Sequence, residues 1–99
     1  MYINKETDGN KTTLIPVGRL DTTSSPELEA QLKDVLDGTD SLVFDMSQLE
    51  YISSAGLRVL LAAQKSMNEK GGTMTVKNVN EIVAEVLSVT GFVDIFNIE

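Results

Sequence analysis

The feature that most restricts how this chain can fold is a repeated change of apolar period, from strand-like to helical and back, along 99 residues. Side chains alternate faces every two residues in a strand and return to one face every three or four in a helix. Each change of period therefore marks a new element. Tyr2 to Thr7 and Lys11 to Leu20 are rich in β-branched residues and flank the turn signal Asp8-Gly9-Asn10, which predicts a β-hairpin. Pro16 lacks the N–H that a ladder uses, so the second strand is expected at a sheet edge or with a bulge. Ser25-Pro26-Glu27 is a helix start, with serine as N-cap, proline at the first helical position and an acid in the first turn. Leu28, Leu32, Val35 and Leu36 follow at helical spacing, and Asp37-Gly38 closes the helix.

Ser41 to Met46 is a short, mostly apolar run that predicts a central strand covered on both faces. A loop from Met46 to Ser53 is expected to follow. Ser54 to Lys70 then places Leu57, Leu60, Leu61 and Met67 on one stripe and ends at Gly71-Gly72. Thr73 to Lys77 predicts a further strand. Val79 to Thr90 predicts a third helix with Ile82, Val83, Val86 and Leu87 inward and Gly91 as its cap. Val93 to Ile98 fits a last strand or a short helix equally, because an apolar run of that length does not choose by itself. A hairpin followed by alternating helices and strands predicts an α/β sandwich. Its mixed sheet should have four to five strands, with an N-terminal hairpin, three to four helices and right-handed crossovers. Absence of repeats and linker-like tracts predicts one domain over residues 1–99.

Composition removes whole classes of chemistry. With no cysteine and no histidine, disulfides, thiolate or imidazole metal sites and Ser-His or Cys-His catalytic pairs are excluded, and no cofactor is expected. No apolar run approaches the roughly 18 residues of a membrane span. The N-terminus lacks the basic-then-apolar order of a signal peptide, so a cytoplasmic protein without membrane insertion is expected. A net charge of −7 opposes nucleic-acid binding, which depends on clustered Lys and Arg. The same charge suits a basic protein partner or serves solubility alone.

The stretch from Asp45 to Leu61 carries the functional signal. Ser53 and Ser54 lie at or just before a helix start, where free N–H groups and the positive end of the helix dipole would stabilise a phosphate. A serine there is equally an ordinary N-cap, worth about 1 kcal/mol, and needs no phosphate. The small residues Ser53, Ser54, Ala55 and Gly56 make a low-profile surface that a kinase active site could reach, and Gly56 would let another backbone or a nucleotide approach closely. Asp21 and Asp45 have neither nucleophile nor metal triad beside them to make an acid–base enzyme, and Asp45 suits a cap for the loop after its strand.

This stretch resembles the signature of the STAS family, and especially its anti-sigma-factor antagonists. That signature is an aspartate ending a central strand, then serine, an aromatic, an aliphatic residue, a small polar doublet and Gly-Leu. Here those are Asp45, Ser47, Tyr51, Ile52, Ser53-Ser54 and Gly56-Leu57. Gly18-Arg19-Leu20-Asp21, Gly71-Gly72 and Val89-Thr90-Gly91-Phe92 resemble further family segments in the same order. The resemblance implies a non-enzymatic switch that binds an anti-sigma factor with serine kinase activity while unphosphorylated. Phosphorylation releases it, and a PP2C-type phosphatase resets it. The acceptor falls on Ser54, with Ser53 as the alternative, and Asp21 falls on a carboxylate that helps engage the kinase. Asp21, Ser53, Ser54, Ala55, Gly56 and Arg58 are the expected partner-binding residues, and a monomer is expected.

Two positions depart from the sporulation and stress-response pattern. Ser53 stands where aspartate is usual, and Arg58 replaces a common glycine, one turn beyond Ser54, where it could pair with a phosphate or simply face water. STAS domains also serve as non-switching scaffold subunits of lipid-transport or signalling assemblies, or as nucleotide-binding modules, and no single residue here separates those roles.

Overall fold

The expected hairpin is the first unit of the structure, a computed structural model that describes all 99 residues. Strands β1 (Tyr2–Asp8) and β2 (Lys11–Leu20) pair antiparallel from Tyr2 opposite Val17 to Asp8 opposite Lys11. Helix α1 (Ser25–Leu36) leads to β3 (Ser41–Asp45), which lies parallel to the first half of β2. Strand β4 (Leu49–Ile52) pairs parallel with the second half of β2, and α2 (Ser54–Glu69) leads on to β5 (Thr73–Lys77), parallel to β3. Helix α3 (Glu81–Val89), a 3₁₀ turn (Phe92–Asp94) and β6 (Asn97–Ile98) complete the chain. The sheet order is β1-β2-β3-β5-β6, with β4 against β2.

The architecture is the mixed α/β one expected, with three α-helices, but the sheet has six strands rather than four or five. Residues 46–53 are not simply a loop, because β4 lies within them. Only Leu49 and Ile52 of that strand are buried, a pattern too short to declare a period of two. The ambiguous segment 93–98 resolves into both alternatives, a 3₁₀ turn and then a two-residue strand beside β5.

All three helices pack on one face of the sheet. Leu14, Leu42, Phe44, Met74 and Val76 from the strands form a single apolar cluster with Leu28 and Leu32 of α1, Leu57, Leu60 and Met67 of α2, and Val83 and Leu87 of α3. Full burial of each such side chain contributes about 1.5–3 kcal/mol before the entropy of ordering it is charged. The expected central strand is found and is buried on both faces, with Leu42, Val43 and Phe44 all inside, although the helices lie on one face only. Val43 is buried yet lies outside this cluster, because its register with Thr13 and Thr75 puts it on the face opposite Leu42 and Phe44.

Pro16 sits in the sheet interior, not at its edge, for a reason the register makes plain. Pairing with β3 stops at Leu14, and pairing with β4 starts at Gly18, whose N–H donates to Gln48 O at 3.1 Å. Alternation along the strand points the missing Pro16 donor to the same side as Gly18, into the stretch between the two partners and outside both ladders. A register shift follows between Gly18 and Arg19. The cap of α1 is one residue earlier than expected, Ser24 rather than Ser25. In α3, Ile82 is 57% exposed and faces out, while Val83 and Leu87 face in.

Candidate functional site

Strands β2 and β4 end side by side, Arg19 opposite Tyr51 and Leu20 opposite Ile52. The Ser53 N–H extends the pairing by donating to Leu20 O at 2.8 Å. Leu20 and Ile52 are fully buried, so the two turns that leave them, 21–24 and 53–56, are anchored together at the carboxyl ends of the strands. Such strand ends are where parallel α/β sheets place their binding residues.

Gly56 seats the first turn of α2 on this anchor. A Cβ there would lie 2.8 Å from Leu20 Cγ and 2.9 Å from Ile52 Cγ1, closer than carbon atoms tolerate. Gly56 is buried, so the close approach it permits is of the helix to its own core. The expected opening for an incoming backbone or nucleotide is therefore corrected: Gly56 shapes the site from beneath and offers no surface to a partner.

The neighbouring serines are used differently. Ser53 is the N-cap of α2, half-buried, with its Oγ accepting from the Gly56 N–H at 3.4 Å and its carbonyl accepting from Leu57 N–H at 3.0 Å. Ser54 is the first helical residue and is exposed, and its hydroxyl makes no hydrogen bond within the protein. Ala55 is half-buried beside it. Arg58, one turn further, is exposed and forms no ion pair. The first turn of α2 carries no acidic residue.

Asp21 organises the adjoining turn. Its Oδ1 accepts from the N–H groups of Thr23 and Ser24, each at 3.0 Å, and Ser24 Oγ donates to Arg19 O at 2.7 Å while accepting from the Asp21 N–H. The Ser24 N–H, more than any other group, holds the Asp21 carboxyl below the ordinary carboxylate value, with Arg19 adding a smaller attraction. Arg19 in turn lies 4.5 Å from the centre of the Tyr51 ring, a cation–π contact across the strand pair. Asp45 works elsewhere. Its Oδ1 accepts from Ser47 N–H and from the Asn78 side-chain amide, both at 3.0 Å. Burial pushes its carboxyl up, but the hydrogen bonds from Asn78 and Ser47 outweigh that and leave it below the ordinary value. Asp21 and Asp45 thus serve different turns and form no acid–base pair.

Of the residues expected from sequence, Asp21, Ser53, Ser54 and Ala55 lie on the paired turns at the ends of β2 and β4, with Arg58 one helical turn along α2. Ser24 and Asn78, which hold the two carboxylates, are not among the residues expected from sequence. The Asp-x-x-Ser spacing of Asp21 and Ser24 was the available signal for the first. Asn78 offered none, since its partner is 33 residues away.

Comparison with known proteins agrees with this geometry. The model of the STAS domain family matches residues 2–99. Over 80 residues the chain is 36% identical to BtrV of Bordetella bronchiseptica, provisionally named an anti-sigma factor antagonist, covering 80% of this chain and 69% of that protein. It is 31% identical over 83 residues to the anti-sigma F factor antagonist of Paenibacillus polymyxa, covering 82% and 71% of the two chains. A crystal structure of a Thermotoga maritima protein, also provisionally named an anti-sigma factor antagonist, superposes with a TM-score of 0.91 at 26% identity, covering 97% of this chain and 84% of that one.

Proposed function

The chain belongs to the STAS domain family, and we propose that it is an anti-sigma factor antagonist switched by phosphorylation of Ser54. In its unphosphorylated form it binds an anti-sigma factor that is also a serine kinase, and in doing so frees the sigma factor. The kinase transfers the γ-phosphoryl group of its ATP to Ser54 Oγ; ADP leaves, the hydroxyl proton passes to solvent or to a base on the kinase, and the complex separates. A PP2C-type phosphatase hydrolyses the ester and resets the cycle. The chain itself acts by binding and catalyses no reaction.

The observation that carries this reading is the contrast within the serine doublet: the Ser54 hydroxyl is exposed and unbonded, while that of Ser53 is engaged in capping α2. Phosphate adds about −1.5 to −2 charges at neutral pH. Asp21, ionised at that pH, already sets a fixed negative charge on the adjoining turn. A partner packed tightly over an uncharged hydroxyl would have to bury a dianion, at a cost of several kcal/mol, or about a hundredfold or more in affinity. The helix terminus can hold the phosphate where it forms, and Arg58, four residues on, can pair with it, so no refolding is needed.

Incubation with the partner kinase and ATP, followed by peptide mapping, tests the assignment. One phosphate on Ser54, absent from Ser54→Ala, is the expected result. Phosphate found on Ser53 would overturn the site, and failure to bind any anti-sigma kinase encoded beside this protein would overturn the function.

A further inference from the structure

Helix α3 has two apolar stripes, and the fold uses only one. Val83 and Leu87 are buried in the core, whereas Ile82 is 57% and Val89 80% exposed, with half-buried Val86 between them at helical spacing. The turn packed against α3 adds Val93 and Ile95, 44% and 46% exposed. Four of the five large apolar side chains most exposed in the molecule thus fall between residues 82 and 95. Ile82, Val86 and Val89 line a shallow groove with Glu85 and Thr90. Single exposed apolar side chains need no explanation, but three that share one groove beside a carboxylate make a surface suited to covering by another molecule.

The rim has one sign. From residue 78 to residue 99 the chain carries Glu81, Glu85, Asp94 and Glu99 and no lysine or arginine. We propose that this face of α3 binds an amphipathic segment of another protein, one whose apolar stripe is flanked by lysine or arginine. Apolar side chains of the segment fill the groove between Ile82 and Val89, and its cations meet Glu81 and Glu85 at the edge. A second copy presenting the same face would set those carboxylates against their own kind, and they would also repel anionic lipid. The surface is on a different helix from Ser54, so it extends the reach of the molecule beyond the serine site.

A synthetic amphipathic peptide of leucine and lysine at helical spacing, and its leucine–glutamate counterpart, test the proposal against the full isotope-labelled chain at physiological salt. The lysine peptide should shift the amide signals of Ile82, Glu85, Val86 and Val89, and the glutamate peptide should leave them in place. The double variant Ile82→Ser, Val89→Ser should keep its melting temperature, because both side chains are exposed, and should bind the lysine peptide about tenfold or more weakly. Equal binding by the double variant, or shifts spread over the acidic residues of β1 and α1 instead, would reduce the effect to net charge and overturn the proposal. Dimerisation lost in the double variant would assign the face to a second copy, and binding of anionic vesicles through α3 would assign it to a membrane; either overturns it equally.

Discussion

The turns that begin α1 and α2 lie together at the ends of β2 and β4, and both are rich in serine, yet their polar groups have opposite fates. In the α1 turn, Ser24 Oγ bridges Arg19 O, the Asp21 N–H and the Asp21 carboxylate, and Ser25 Oγ donates to Asp21 O. Both serines there are buried. In the α2 turn a single weak cap at Ser53 suffices, and the next hydroxyl stands in solvent without a partner. A hydroxyl already bonded and buried is closed to a kinase by the cost of stripping those bonds; an exposed, unbonded one is not. Adjacent serines at the two helix starts therefore differ: those before α1 are bonded into the Asp21 turn, and the Ser54 hydroxyl is left free.

Breaking the open side of this contrast should have the largest effect. Ser54→Ala should abolish phosphoryl transfer by the partner kinase while the thermal unfolding curve stays unchanged. Ser54→Asp, a partial mimic with one negative charge, should weaken kinase binding by about tenfold, read by calorimetry. An unaltered dissociation constant would count against the electrostatic account.

Gly56→Ala strikes the seat beneath the open turn. The added methyl meets Leu20 Cγ and Ile52 Cγ1 at less than 3 Å, and both side chains are fully buried with nowhere to move. A loss of about 1–3 kcal/mol is expected in urea denaturation, larger than the gain in helix propensity of roughly 0.5–1 kcal/mol that alanine brings. Net stabilisation would show that the helix start is not seated on the strand ends in this way.

Ser53→Ala removes the cap alone. Because the Gly56 N–H lies 3.4 Å from Ser53 Oγ, the cost should fall at the lower end of the usual range, about 0.5–1 kcal/mol, with Ser54 still accepting phosphate. Loss of phosphorylation in a folded Ser53→Ala protein would merge the two roles that the geometry separates.

The smallest effect belongs to the closed turn and appears through pH. The folded-state pKa of Asp21 is lowered, so the stability its carboxylate contributes is complete above the ordinary value of 3.8 and is lost as pH falls through the lowered folded value. The gap in melting temperature between the wild-type chain and Asp21→Asn should be full near neutral pH and close in strong acid. A gap independent of pH would mean that the ionised carboxylate is not what organises the turn.

Much of this arrangement was legible in the sequence, and what was not has a physical reason. The hairpin, the spans of α1, α2 and β5, and the position of the serine doublet at a helix start each rest on neighbouring residues, through turn chemistry, capping or a period carried over several turns. Strand β4 is not legible in the sequence because four residues cannot display a period, and it is held by a partner some 30 residues earlier in the chain. Ile82 and Val86 satisfy helical spacing as well as Val83 and Leu87 do; only the docking of α3 against β4 chose between the two pairs. Gly56 reads as open to a partner from sequence, which does not show which side of a helix start faces Leu20.

By itself, then, the sequence determined the kinds and order of the elements other than β4 and the last segment, and the chemistry available at the start of α2, since these depend on interactions within a few residues. Tertiary structure alone decided which face of the sheet the helices cover, that Pro16 falls between the two partners of β2, which side of α2 Gly56 seats on Leu20 and Ile52, and which stripe of α3 enters the core. Those outcomes depend on pairings between segments far apart in the chain, and burial and hydrogen-bond satisfaction exist only once such segments have met.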